Sequence, residues 1–224
     1  MFTRIARRYD LMNTLMTAGR HHAWRRRVAA EVARAPLGPV LDLATGTADL
    51  ALAVRAADGS RLVVGADFSL GMLAAGRAKL AARGERHVPL LAADALRLPF
   101  ADKTFACVTS AFLLRNLADL AQGLAEMRRV TVLGGRVVSL EIVRPGIVGW
   151  DALFGLYFDR LVPWAGALVA GDRAAYTYLP RSVATFFSPR ELTLVMQAVG
   201  LRDVRVRRLA LGTIALHVAV AAER

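Results

Sequence analysis

Apolar and polar positions along this chain change their period from one stretch to the next. From residue 39 onward, short apolar runs alternate with longer segments whose apolar residues recur every three or four positions. The first pattern predicts strands and the second amphipathic helices. Strands are expected at 39–44 (PVLDLA), 61–67 (RLVVGAD), 87–94 (HVPLLAAD), 105–112 (FACVTSAF) and 135–142 (GRVVSLEI), with helices at 48–57, 70–84 and 117–130. Such alternation is the pattern of βαβ units and a parallel sheet. A helix over 188–200 then precedes two strands, 201–210 and 212–221, read as an antiparallel ending. The expected fold class is α/β, doubly wound, with a mostly parallel seven-stranded sheet.

Two segments fall outside the alternation. Residues 1–34 are arginine-rich and amphipathic, and predict helices interrupted near Gly19. Residues 145–187 are aromatic, apolar and punctuated by Pro and Gly, and predict helices laid over the sheet. At 224 residues the whole chain is expected to form one domain.

Composition narrows the picture. The apolar fraction is 55% and the mean hydropathy +0.39, yet no stretch is an uninterrupted span of roughly 20 apolar residues, so no transmembrane helix is expected. The start, MFTRIARRYD, is charged and has no apolar signal core behind it, which points to the cytoplasm. Cys107, the single cysteine, lies within an apolar run and reads as a buried strand thiol. The formal net charge of +12, with clusters at RHHAWRRR and RDVRVRR, favours anionic partners, either nucleic acid or an acidic membrane surface.

Candidate chemistry begins after the first strand, where LDLATGTADL makes a turn at the carboxyl end of the sheet, beside the expected topological switch point. A dinucleotide fingerprint wants three spaced glycines, and only Gly46 is present. Asp42 disfavours a pyrophosphate but suits a ligand carrying positive charge. S-adenosylmethionine carries it on both ammonium and sulfonium. Asp67 ends the second strand, where a carboxylate accepts hydrogen bonds from two ribose hydroxyls, and Asp94 ends the third, within reach of an adenine amino group. No metal is called for.

The run AFLLRN at 111–116 delivers a guanidinium and an amide to the end of the fourth strand. Together with FTRIARRYDLMNTLMTAGRHHAWR, LDLATGTADL, GGRVVSLEIVRPG, YTYLPRSVATFF and the closing GTIALH, it makes the chain resemble the ubiquinone/menaquinone biosynthesis C-methyltransferases. YDLMN and LRN are the narrow signals; the loop alone resembles class I methyltransferases in general, whose fold is Rossmann-like. The resemblance implies methylation of a polyprenyl quinol ring from S-adenosylmethionine, with demethylmenaquinol favoured.

It further implies that the methionine end of the cofactor lies against Asp42, Gly46 and Thr47, the ribose on Asp67, and the adenine beside Phe68, Asp94 and Ala95, with Ala111 at another pocket position. Ala44, Ala48 and Leu113 stand where the family usually has glycine, and Ala111 where it has serine or glycine. A methyl on each alanine narrows the backbone's allowed angles. Arg115 is expected to stabilise a developing phenolate and Asn116 to orient it or a water. The competing structural role has Arg115 pairing with a carboxylate and Asn116 capping a helix that starts at Leu117. Tyr9, Asp10, Asn13, His21, Tyr178, Arg181 and His217 are candidates for the quinol pocket or a lid.

A polyprenyl tail implies contact with the bilayer. Arg25, Arg26 and Arg27 are expected to meet anionic lipid, and Trp150, Phe154, Tyr157, Phe158 and Trp164 to shelter the isoprenoid, so the enzyme works peripherally at the inner face of the membrane. Two alternatives stay open: a methyltransferase of the same fold acting on nucleic acid or another small molecule, and a non-catalytic lipid-binding protein. No nucleic-acid module supports the first. The oligomeric state, a homo-oligomer included, is left open.

Overall fold

The computed structural model describes residues 9–147, 149–156 and 173–223. Two helices come first, α1 (Tyr9–Thr17) and α2 (His21–Val32), broken where Ala18 and Gly19 take positive φ. The wound part follows: β1 (Val40–Leu43), α3 (Asp49–Ala57), β2 (Val63–Asp67), α4 (Leu70–Ala82), β3 (Leu90–Ala92), β4 (Phe105–Ala111), a 3-10 turn (Leu114–Asn116), α5 (Leu120–Val130) and β5 (Thr131–Ile142). Next are α6 (Trp150–Leu156), α7 (Arg173–Ala184) and α8 (Pro189–Ala198), and last β6 (Leu201–Leu209) and β7 (Ile214–Ala221).

The seven strands form one sheet in the order β3-β2-β1-β4-β5-β7-β6, parallel except where β7 runs antiparallel to both β5 and β6. The expected α/β class, strand number and antiparallel ending are borne out. Two strand starts differ by more than two residues. β3 starts only at Leu90, because Pro89 withholds a ladder donor, and spans three residues rather than eight, while β5 starts at Thr131, directly after α5.

Alternation of side chains sends neighbouring residues into two cores. Val40, Cys107, Val138 and Leu140 face α2, α3 and α4, while Leu41, Leu43, Val108 and Val137 face α5 and α8. Both faces of β1 are therefore buried, which explains why Val40, Leu41 and Leu43 do not alternate with exposed polar residues; Asp42, the one charged residue among them, is buried too. Burial also raises the Cys107 thiol to about 12, so it stays protonated and inert. α8 starts where the sequence signals it: Ser188 and Glu191 form a capping box ahead of Pro189.

β1 lies between β2 and β4, and the chain leaves it in opposite directions on the two sides. That switch point opens a crevice at the carboxyl ends of the strands. Among the described residues no helix is long and apolar enough to cross a membrane. Phe154 lies in α6 with its side chain outside the described set, as do Tyr157, Phe158 and Trp164 altogether, so the expected isoprenoid shelter rests there on Trp150 alone.

Candidate active site

Between β1 and α3, residues 44–48 reverse the chain with three left-handed residues, Ala44 (φ 57°), Gly46 (φ 57°) and Ala48 (φ 66°). The left-handed region costs an L-residue roughly 1–2 kcal/mol, so both alanines hold strain that glycine would not. Ala48 occupies the N-cap of α3 and has no side chain to cap with. Asp42 does this work from β1: its Oδ2 accepts the Ala51 N–H at 3.1 Å and the Thr45 hydroxyl at 2.7 Å, while Thr109 Oγ1 lies 3.2 Å from Oδ1. Burial pushes the Asp42 carboxyl up to about 6, against those three hydrogen bonds. Its side chain thus shapes the loop from beneath instead of presenting a free carboxylate to the cleft, a correction to the direct contact expected from sequence.

Asp67 closes β2 beside the loop. Its Oδ2 accepts the Gly46 N–H and its Oδ1 the Ser69 N–H, each at 2.8 Å. Burial raises its pKa, with the two N–H groups opposing. Phe68 follows with its ring 80% exposed. Asp94 does not end a strand, because β3 stops at Ala92; it lies in an exposed turn, Oδ1 accepting the Leu96 N–H at 2.9 Å, with Ala95 buried beneath. Ala111 ends β4, half-buried.

These residues fit S-adenosylmethionine. A Cβ built on Gly46 meets nothing within 4 Å, so the space above the turn is open. Each Asp67 oxygen has one N–H partner and keeps a lone pair for a ribose hydroxyl. The exposed Phe68 ring offers an adenine a face to stack on, and the acidic residues around the loop suit a cation.

The loop is held from outside by a charge network in which Lys79 and Asp49 have no place in the sequence reading. Lys79 on α4 donates to Thr47 Oγ1 (2.9 Å) and Asp49 Oδ1 (2.7 Å) and pairs closely with Asp10 of α1. Thr47 in turn donates to Asp10 Oδ1 at 2.7 Å, and Arg25 pairs with Asp49 at 2.9 Å. Burial acts to raise Asp49, yet Arg25 and Lys79 outweigh it and hold the carboxyl below its ordinary value. Gly76 completes the contact, since a Cβ there would sit 3.2 Å from the Gly46 carbonyl. Arg25 is therefore 7% exposed and neutralised, which removes it from the expected lipid-facing trio; Arg26 and Arg27 remain exposed.

At the end of β4 the structural role expected for Arg115 is realised: its guanidinium pairs with Glu141 of β5 at 3.0 Å and lies 5.6 Å from the Phe112 ring centroid. Asn116 caps no helix, because α5 starts at Leu120 with Asp119 as its cap. Its Nδ2 donates to the Phe112 carbonyl at 2.9 Å, and its Oδ1 accepts the Tyr178 hydroxyl of α7 at 3.0 Å. Leu113 sits at φ −90°, where glycine is not needed; the positive φ of this turn is at Phe112 (63°).

The histidines separate. His217 is fully buried in β7 and its Nε2 donates to the Pro189 carbonyl at 3.0 Å, so it does not face the cleft; burial lowers its pKa. His21 packs behind α1 with Nδ1 2.8 Å from Thr17 Oγ1. That hydroxyl lies 2.6 Å from the Asn13 carbonyl, which can only accept, so the ring nitrogen carries the hydrogen. Burial, then Arg25 and His22, bring His21 down to about 4. Tyr9 opens α1 with its side chain outside the described set, Asn13 lies on the same helix with a buried Nδ2 unpartnered among the described residues, and Arg181 is exposed on α7.

Comparison with known proteins shows the family and the fold. The sequence profile described as the ubiE/COQ5 methyltransferase family matches residues 1–221. A protein of Thermus thermophilus named demethylmenaquinone methyltransferase is 46% identical over 219 residues, covering 97% of this chain and 98% of the relative. A protein of the same name from Deinococcus radiodurans is 45% identical over 212 residues, covering 95% and 87%. Among solved structures, a SAM dependent methyltransferase from Aquifex aeolicus superposes with TM-score 0.68 at 18% identity, covering 95% of this chain and 98% of that one. A putative S-adenosyl-L-methionine-dependent methyltransferase from Methanococcus maripaludis gives 0.72 at 14%, covering 100% and 95%; these two likenesses concern the fold.

Proposed function

The chain belongs to the ubiE/COQ5 methyltransferase family and is an S-adenosylmethionine-dependent methyltransferase; from that premise we propose that it methylates a ring carbon of demethylmenaquinol. What carries the proposal is one convergence. The loop open above Gly46, the Asp67 carboxylate and the Arg115 turn all lie at the carboxyl ends of adjacent strands. The full-length relatives' name favours a naphthoquinol over a benzoquinol.

When bound, S-adenosylmethionine supplies an electrophilic methyl group on a sulfonium. The chain's own task is to hold a nucleophilic ring carbon in line with it, which can contribute roughly 7–11 kcal/mol in favourable cases. Residues 44–48 with Thr47 receive the methionine end, Asp67 the ribose, and Phe68, Asp94, Ala95 and Ala111 surround the adenine. A phenol with a pKa near 10 is mostly protonated at neutral pH, so the ring needs a directed donor to favour its oxyanion. Arg115 provides it as an oriented N–H, its net charge being offset by Glu141. Asn116 acts at one remove, because its amide is spent on Phe112 and Tyr178. The Tyr178 hydroxyl keeps lone pairs for a quinol hydroxyl, while Asn13 and Arg181 shape the pocket's outer wall.

The polyprenyl tail keeps the substrate in a bilayer, so the enzyme works at a membrane surface. Exposed Arg26, Arg27, Arg205 and Arg207 and the net charge of +12 favour anionic lipid. Incubation with labelled methyl donor and equal amounts of demethylmenaquinol and a demethylated benzoquinol tests the substrate. Label in the naphthoquinol ring is expected, and label confined to the benzoquinol overturns the choice. Flotation with vesicles of about 30% anionic lipid, a content that gives the surface a negative potential, tests the membrane claim. That claim fails if the protein stays at the bottom with and without the anionic lipid.

A further inference from the structure

Glu141 is the most enclosed carboxylate near the site, with 0% exposure, although offsetting the charge of Arg115 does not require it to be buried. It lies one residue past Leu140, the last β5 residue paired with β4, and faces the small Ala215 across β7. Its Oε1 accepts the Leu114 N–H at 2.6 Å and its Oε2 accepts from Arg115 at 3.0 Å. One carboxylate therefore fixes both the backbone of the turn and the guanidinium carried on it.

We propose that Glu141 is a positioning residue for methyl transfer, acting through Arg115 by clamping the Leu114–Asn116 turn and its guanidinium in one orientation at the end of β4. This rests on the assignment of Arg115 to the quinol ring. Two observations favour it over a structural ion pair. Buried ion pairs contribute little net stability compared with apolar residues of the same volume, so stability alone does not account for a charged pair at this position. The pair is also incomplete. Arg115 has a side chain 7% exposed, and its Nε is a buried donor unpartnered among the described residues. A pair that served only the fold would have its donors satisfied; the sealed Nε meets no ligand, but Nη2 donates to no group among the described residues and keeps its hydrogens for a quinol oxygen.

Pairwise substitution in the full-length enzyme tests the proposal. Glu141→Gln, Arg115→Met and the double variant are assayed for kcat and KM with demethylmenaquinol, with S-adenosylmethionine affinity measured by calorimetry. Glu141→Gln is expected to lower kcat at least tenfold with cofactor Kd within about twofold, and to lower it no further once Arg115 is Met. Losses that multiply, or a kcat for Glu141→Gln equal to the parent's, overturn the role of Glu141. If Arg115→Met keeps the parental kcat, the assignment of Arg115 to the ring fails instead. Should Glu141→Gln not fold, Glu141→Asp takes its place. It keeps the charge but is one methylene too short to reach both partners, so a tenfold loss of kcat is again expected and an unchanged kcat is fatal.

Discussion

Replacing Asp42 by Asn should make this protein more stable above neutral pH and less stable in relative terms in acid. The carboxyl is fully buried, and burial raises it from 3.8 to about 6. A folded-state pKa above the unfolded one means that the native state binds the proton more tightly. The charged form is then a liability above pH 6 that fades as pH falls from 6 towards 3.8. At 1.36 kcal/mol per pH unit that liability is about 3 kcal/mol.

Asn fits the same space. Its Oδ1 can take the place of Oδ2 and accept from Thr45 and Ala51, and its Nδ2 can donate to Thr109 Oγ1, whose own hydrogen is free to turn to the Leu41 carbonyl 3.3 Å away. Urea unfolding of parent and variant at intervals from pH 4 to pH 8 isolates this group, because other titrations cancel in the difference. The difference should move by about 2 kcal/mol in the variant's favour between the two ends, the unfolded carboxyl being already partly ionised at pH 4, with its midpoint between 4 and 6. A pH-independent difference refutes the reasoning. Cofactor affinity should fall in the same variant, since the loop above then loses one of the carboxylates bonded to it.

Three further outcomes follow from the geometry. Lys79→Met removes the ammonium that joins Asp10, Thr47 and Asp49; with charged hydrogen bonds worth roughly 1.5–3 kcal/mol, amides of α1 should exchange at least tenfold faster while those of β4 hold their protection. Ala44→Gly should raise stability by about 0.5–1 kcal/mol in thermal unfolding, the relief of φ 57° outweighing the entropy of glycine. Ser188→Ala breaks the capping box of α8 and should cost about 1 kcal/mol, with methyl transfer unchanged.

Much of the site is legible in the amino-acid sequence alone. Gly46, Asp67 and Phe68 fall where β1 and β2 end, because strand ends are marked locally by the change from apolar run to turn residues. Asp94 departs from its expected place at a strand end, since β3 stops at Ala92 and the Asp94 carboxylate closes a local turn on the Leu96 N–H. The basic trio at Arg25, Arg26 and Arg27 misleads because three adjacent helical residues point in different directions, and the first points inward to Asp49. Lys79 and Glu141 carry no signal. A lysine in an alanine-rich helix reads as solvent-facing, and a glutamate within an expected strand names no partner.

The amino-acid sequence by itself determined which segments are strands and which are helices, their order, and hence the carboxyl edge where the loops gather, because side-chain periods of 2.0 and 3.6 are written into neighbouring residues. Only the tertiary structure decided which charges meet. Arg115 found Glu141 because the sheet sets β5 beside β4, and Asp10 found Lys79 because α1 lies across the loop between β1 and α3. Partnerships of that kind depend on register and sheet order, which bring together residues that no local window contains.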